Sequence, residues 1–289
     1  MPNNSDVPPQ PEPIDYVARW QQIVARRRVQ MDTAYEASGL KNVDYWGRRA
    51  RQYREALHSR PDEDPFFRSV AAAVTPESTL LDVGAGTGRH TLALAPHVRH
   101  ITAVDPSEAM LNLLREDLEE RRVGNVDVVH AEWMNAAVDP ADVVLCSHVL
   151  YPIDDVASFV QRLDAYAKQR VFVYLRVDPL PTDMGLWSEF YGVPLQAQPT
   201  FVDLYPLLMQ IGITADADII EHRFTLTFAS LDDAVVQARN ALCLREDDGA
   251  ATDKLRNLLD ERLVVWPDGR LGPQIESARS AILSWAPGS

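Results

Sequence analysis

The residues best placed to do chemistry fall within eight positions: Asp82, Gly84, Gly86, Gly88 and Arg89. Glycine permits positive φ and lets a ligand approach bare backbone. The preceding run, Thr79 to Val83, is short, apolar and bounded by Pro76, so it reads as a buried strand. Beyond the glycines, Leu92, Leu94 and Ala95 supply the apolar side of a helix whose first turn offers unpaired N–H groups. Strand, glycine loop and helix in this order make either a nucleotide-binding unit or a tight turn of an α/β domain. Three glycines at alternate positions favour the first.

Glycine spacing then separates cofactor classes. A dinucleotide fingerprint is G-x-G-x-x-G/A, whereas here Arg89 stands where the third small residue belongs. Asp82, two residues ahead of the loop, is a poor neighbour for a pyrophosphate. It tolerates a cationic sulfonium and amine by simple Coulomb reasoning. Asp105 ends the next strand-like run, His100 to Asp105, 17 residues beyond Gly88. An acid there suits a ribose diol, and an Asp before Pro-Ser also suits a turn or helix cap. With the glycine loop before it, the ribose reading is favoured.

These residues need elements to hold them. Apolar runs predict strands over 79–83, 100–105, 125–130, 142–146 and 171–177, alternating with helices to about 95 and over 107–122 and 154–167. Such alternation means right-handed crossovers and a parallel sheet with ligands at the carboxyl ends of its strands. Asp82/Gly84, Asp105, Glu132, Ser147/His148 and Arg176/Asp178 all fall at such ends and should converge on one cleft. Ahead of this core, helices are expected over 16–35, 43–57 and 65–74. After it, 179–200 is rich in proline and aromatics. A helix over 201–210 follows, with Pro206 disturbing its interior unless the helix begins there. A sixth strand over 218–228, helices over 231–244 and 253–263, a turn at 266–269 and a strand over 278–285 complete the chain. The fold class is α/β: a Rossmann-like, doubly wound, mostly parallel seven-stranded sheet with an N-terminal helical lid and a C-terminal helical insertion between the last two strands. The expected divisions are a disordered tail (1–13, with five prolines), a helical lid (14–75), a cofactor-binding core (76–180) and a C-terminal part (181–289).

Composition bounds the function. Hydrophobic residues make up 46% and charged residues 24% of the 289 positions, ordinary for a globular protein. No run approaches the roughly 20 apolar residues that cross a bilayer, and residues 1–13 lack a signal-peptide pattern, so the expectation is cytoplasmic with no membrane partner. Cys146 and Cys243 are too few for a disulfide framework or a zinc site, and the seven histidines show no ligand spacing, so no metal is expected. A net charge of −14 argues against nucleic acid. Residues 19–60 alone carry +6, leaving −20 for the remainder, and this basic segment is a solvated face or an anion-facing lid.

Leu81-Asp82-Val83-Gly84-Ala85-Gly86-Thr87-Gly88 resembles the first motif of the class I S-adenosylmethionine-dependent methyltransferases. Val104-Asp105-Pro106-Ser107 with Met110-Leu111 resembles their second, and Ala131-Glu132-Trp133 their adenine-contacting segment. The run from Asp142 to Tyr151 resembles the fourth-strand motif of the small-molecule-type bacterial branch. The resemblance is close over 40–180 and implies S-adenosyl-L-methionine as cofactor. By position it lays the methionine part against Gly84, Gly86 and Gly88, with Asp82 supporting the loop or the amine through water. Asp105 would bind the ribose hydroxyls, Glu132 the adenine amino group with Trp133 beside the base, and Ser147 would offer backbone near the amino-acid part. Ala85 and Pro106 belong to the same cofactor-binding motifs. Trp46 and Tyr53 resemble aromatic positions of a helix that closes over the cofactor, and core packing explains them equally well.

His148, titratable near neutrality at the end of the fourth strand, is the candidate base, with Tyr151 beside it as the other candidate catalytic residue. Tyr151, Trp187 and Tyr191 are candidate pocket walls. The chain lacks an Asn-Pro-Pro-Tyr or Asp-Pro-Pro-Tyr motif and a Pro-Cys nucleophile after that strand, as DNA-modifying relatives have them. The expected partner is therefore a small-molecule methyl acceptor, and a homodimer is compatible with the sequence. The competing readings are a nicotinamide-dependent oxidoreductase and a non-catalytic cofactor-binding regulator.

Overall fold

The computed structural model describes residues 13–39, 50, 54, 64–178, 184–223, 226–274 and 277–288. Trp46, Tyr53 and nearly all of the tail 1–13 lie outside the described residues, as does the helix expected over 43–57 apart from Ala50 and Arg54.

Asp15 starts the first helix, α1 (Tyr16–Ser38), by accepting from the N–H groups of Val17 and Ala18, and Gly39 closes it in the left-handed region at φ 68°. Four-residue spacing buries Trp20 and Val24 on one side, where the Trp20 indole donates to the Ile153 carbonyl at 2.8 Å. Asp64 and Pro65 begin α2 (Pro65–Ala71), with proline at the position where a missing N–H costs nothing. Then come β1 (Thr79–Val83), α3 (Arg89–Leu94), β2 (His100–Asp105), α4 (Glu108–Glu120), β3 (Val126–His130), β4 (Ala141–Ser147), α5 (Val156–Tyr166) and β5 (Ala167–Arg176). The remainder is α6 (Leu186–Tyr191), α7 (Phe201–Gln210), β6 (Asp216–Arg223), α8 (Leu231–Ala241), α9 (Gly249–Arg262), β7 (Leu263–Val265), β8 (Leu271–Pro273) and β9 (Ser277–Trp285).

Seven strands form one sheet in the order β3-β2-β1-β4-β5-β9-β6, parallel except for β9, which runs antiparallel to both neighbours. Strand order reverses between β1 and β4, and ligands of such sheets gather at that point. Alternation along each strand divides the core. Leu81, Val83, Val144, Cys146, Val173 and Leu283 face α1, α5 and α7. Leu80, Ile101, Leu145, Phe172, Tyr174 and Ile282 face α2 and the end of α3. The segment read as one lid, 14–75, is thus divided, with α1 and α2 on opposite faces of the sheet.

α7 covers the expected residues 201–210, with Pro206 inside it rather than at its start. A reciprocal cap secures that start: Thr200 and Asp203 each bond the other's backbone N–H. The carbonyl that Pro206 leaves unpaired belongs to Val202, which is exposed, so water can serve it.

The insertion between β6 and β9 also holds more than helices. The expected turn at 266–269 joins β7 to β8 in a two-stranded hairpin. Leu186, Trp187, Phe228, Ala234, Leu255 and Leu259, with Ala34 from α1, form a core separate from the sheet's. Trp187 and Tyr191, read as pocket walls, stack at 4.3 Å inside that core, and Tyr191 donates its hydroxyl to the Leu242 carbonyl. Among the described residues no helix is long and apolar enough to cross a membrane.

Trp187 is 1% exposed. Trp187→Ala is expected to destabilise the protein by about 3–5 kcal/mol, read as a lowered urea midpoint, with the affinity for S-adenosylmethionine unchanged below the transition. A loss of that affinity in the folded variant would place Trp187 at the cofactor after all.

Candidate active site

The glycine loop is tied to the end of β2. The N–H groups of Gly84 and Ala85 both donate to the Val104 carbonyl, at 2.8 and 3.1 Å. Gly86 N–H donates to one oxygen of Asp105 at 2.9 Å, and Ser107 N–H to the other at 2.8 Å. The carboxylate is therefore held in one orientation. Pro106 beside it is exposed, and its carbonyl accepts from His130 at 3.0 Å.

The three glycines do different jobs. All have positive φ, at 77°, 56° and 84° for Gly84, Gly86 and Gly88. A Cβ on Gly84 would lie 2.2 Å from Val149 Cγ2, and one on Gly88 would lie 2.3 Å from Leu114 Cδ1. Those two glycines therefore admit protein side chains, from the segment after β4 and from α4. Above Gly86 there is nothing within 4 Å, which leaves it as the glycine whose bare backbone a ligand can approach.

Asp82 is 2% exposed and accepts a hydrogen bond from the Thr91 hydroxyl at 2.5 Å, linking the end of β1 to α3. Burial pushes its carboxyl up to about 6, against the opposing pull of His90 and Thr91. Below the loop, Arg89 pairs with Asp64 at 2.9 Å and His90 meets the same oxygen at 3.1 Å. Burial alone would raise the Asp64 carboxyl, but the His90 hydrogen bond and the Arg89 charge hold it well below the usual range. Asp64, Thr91, His90 and Val149 were not singled out from the sequence. Thr91, at the next-but-two position after Gly88, was the one with a readable signal, being a hydroxyl one turn into the helix.

Glu132 lies just past β3 on the exposed side. The Trp133 side chain turns the other way: it is 4% exposed, its indole donates to the Phe159 carbonyl at 3.3 Å, and the Arg162 guanidinium covers its ring. It belongs to the core beneath α5 rather than beside a base. Ser147 ends β4, level with Tyr174 on β5. His148 follows in the left-handed region at φ 58°, which costs on the order of 1–3 kcal/mol in a residue other than glycine. Its N–H still donates to the Tyr174 carbonyl at 2.8 Å. Its Nδ1 shares a 2.7 Å hydrogen bond with the Tyr151 hydroxyl, which accepts from Arg176 N–H at 3.0 Å. Burial, helped by the charges of Arg176 and Arg89, holds the His148 pKa well below its ordinary value, so the ring is neutral at pH 7. The structure thus brings Asp82, the glycine loop, Asp105, Pro106, Glu132, Ser147, His148 and Tyr151 to one edge. Trp133, Trp187 and Tyr191 are elsewhere.

The sequence pattern of the methyltransferase domain matches residues 80–169, which span this whole edge from β1 to β5. The match marks a methyltransferase domain over 90 of the 289 residues. An uncharacterized protein of Haemophilus influenzae is 29% identical over 178 residues, covering 61% of this chain and 66% of its own. The uncharacterized methyltransferase YcgJ of Bacillus subtilis is 26% identical over 132 residues, 45% of this chain and 52% of that one. The chain thus spans about half to two thirds of the length of the curated relatives it matches. A solved structure from Bacillus halodurans C-125 superposes with a TM-score of 0.51 at 16% identity, over 77% of this chain and 97% of the other, and shares the fold. S-adenosylmethionine is the cofactor of this methyltransferase domain, and the open backbone at Gly86 beside an oriented Asp105 carboxylate fits it.

Two variants separate packing from binding. Gly86→Ala is expected to fold, with a strain of about 1 kcal/mol, and to weaken S-adenosylmethionine binding at least tenfold by calorimetry. Gly84→Ala should instead lose stability through its clash with Val149. Equal affinity in Gly86→Ala and wild type would show that nothing lies over that backbone.

Asp82 gives a pH signature. Its raised folded pKa means that the folded state binds the proton more tightly, so its contribution favours folding below about pH 4 and is lost as pH rises through 6. Asp82→Asn keeps an acceptor for Thr91 without the charge. It is expected to be more stable than wild type at pH 8, by on the order of 2 kcal/mol, with the difference shrinking by pH 5 in urea titrations. A constant difference would mean that Asp82 titrates normally.

Proposed function

We propose that the chain transfers the methyl group of S-adenosylmethionine to a small-molecule acceptor by in-line displacement. When bound, the cofactor supplies a methyl carbon activated by its sulfonium. The chain's part is orientation and exclusion of water. Asp105, fixed by Gly86 and Ser107, takes the ribose hydroxyls, Glu132 takes the adenine amino group, and Gly86 gives the methionine part room beside the loop. Tyr151 holds Nδ1 of His148, so Nε2 is the nitrogen left for an acceptor. A neutral imidazole there can accept a proton from an acceptor that needs deprotonation, and an acceptor already anionic needs no base.

The observation that carries a small acceptor is topological. The chain leaves the sheet at the carboxyl end of β6 and returns at the start of β9, so the second core is hung on the same edge as the glycine loop. α6, which joins that core, follows the carboxyl end of β5. A packed lobe beside the methyl site limits the acceptor to what fits between them. The net charge of −14 adds a penalty for polyanions.

The full chain incubated with methyl-labelled S-adenosylmethionine and a small-molecule extract is expected to yield a labelled product of low mass, and calorimetry to register S-adenosylmethionine but not NADH. NADH binding alone would sink the reading. Label carried only by RNA or protein would overturn the acceptor class, and cofactor binding without transfer would make the chain a regulator.

A further inference from the structure

Resting on the methyl-transfer reading above, we infer that the acceptor is an organic carboxylate, and that Arg176 at the end of β5 is the residue that binds its carboxylate group.

Arg176 is partly buried at the carboxyl edge, and its position is set from three sides. Its backbone N–H donates to the Tyr151 hydroxyl at 3.0 Å, and its guanidinium carbon lies 5.8 Å from the Tyr151 ring centroid. The cation is thus held against the ring that also fixes His148, on the acceptor side of the glycine loop. On its other flank Ser280 of β9 pairs with it in register, and Ser280 bonds His222 at 2.8 Å.

The acids that could neutralise it are engaged elsewhere. Asp178, two residues on, is held by both arms of Arg279 at 2.8 and 2.6 Å. Asp64 pairs with Arg89 and His90. Asp105 is oriented by Gly86 and Ser107 N–H groups, and Asp82 by Thr91. Among the described residues no carboxylate lies within ion-pair distance of Arg176. In a protein of net charge −14, an arginine left without a counter-charge beside the reacting edge is notable. A partly buried guanidinium is costly unless an anion meets it. Its planar fork matches a carboxylate in two parallel hydrogen bonds. Arg89 lies near enough for its field to reach His148 together with that of Arg176. An anionic acceptor meets attraction there and a cationic amine meets repulsion. The Tyr151 ring lies alongside the guanidinium, so the body next to the carboxylate can be flat and apolar.

The test uses the full chain saturated with S-adenosylhomocysteine and benzoate as the probe, with benzamide as its uncharged counterpart. The Arg176 Nε–H resonance, assigned by its disappearance in Arg176→Lys, is expected to shift saturably with benzoate and not with benzamide. Arg176→Met should weaken benzoate binding at least tenfold while S-adenosylhomocysteine affinity stays within twofold, and Arg176→Lys should fall between. No shift with benzoate, or the same shift with both probes, overturns the proposal. So does a tenfold loss of S-adenosylhomocysteine affinity in Arg176→Met, because Arg176 would then hold the cofactor's own carboxylate. Failure of the wild type to bind S-adenosylhomocysteine at all would strike the methyl-transfer reading instead.

Discussion

The carboxyl edge of the sheet depends on Asp105. Its side chain joins the glycine loop after β1 to the start of α4, and its backbone carbonyl accepts from Ala131 N–H at 3.2 Å, drawing in the segment after β3. Three crossover connections are thereby fixed relative to one another by one residue. The arrangement makes the carboxylate a structural group before it is a binding group. Its orientation is complete without a ligand, so little ordering cost is left for the moment of binding. An Asp at the end of a second strand therefore has two reasons to be there, and the cap reading and the ribose reading are compatible.

Close approach is the second constraint. The loop can lie flat against the sheet edge only because Val149 and Leu114 occupy the space that side chains at Gly84 and Gly88 would fill. The same Val149 follows His148, whose left-handed backbone turns the chain sharply at the end of β4. Strain at His148 and contact at Gly84 are thus one feature seen from two sides. The turn that places the imidazole against Tyr151 also seats the valine on the glycine loop, coupling the acceptor side to the cofactor side through packed atoms.

Where local chemistry decides structure, the sequence was legible. β1 and β2 begin and end as expected, because apolar runs bounded by Pro76, glycines and an Asp-Pro pair leave few alternatives. α7 also ran from Phe201 to Gln210 as its pattern suggested, although its proline argued for a later start. A reciprocal cap outweighed one missing hydrogen bond, and caps are visible only once a helix is assumed. The hairpin β7–β8 escaped notice because its strands have three residues each, too few for alternation to register. Trp133, Trp187 and Tyr191 show the limit more clearly. A large aromatic near a strand end fits a core or a pocket equally well, and only the packing of distant segments such as α5 and α8 decides between them. Tertiary contacts of this kind have no local signature.

The antiparallel last strand has an electrostatic consequence for the edge it borders. Because β9 runs against β5, its first residues reach the carboxyl edge, and the Arg279 side chain reaches Asp178. A parallel strand in that place would end at the edge rather than begin there, and its connection would have to return beneath the sheet. The chain instead enters from the second core with Arg279, Ser280 and their neighbours already at the site. Arg279 takes Asp178, and among the described residues the nearby Arg176 has no carboxylate partner. Strand direction thus bears on the charge of that edge: the returning strand brings Arg279 to Asp178, while among the described residues Arg176 meets no carboxylate.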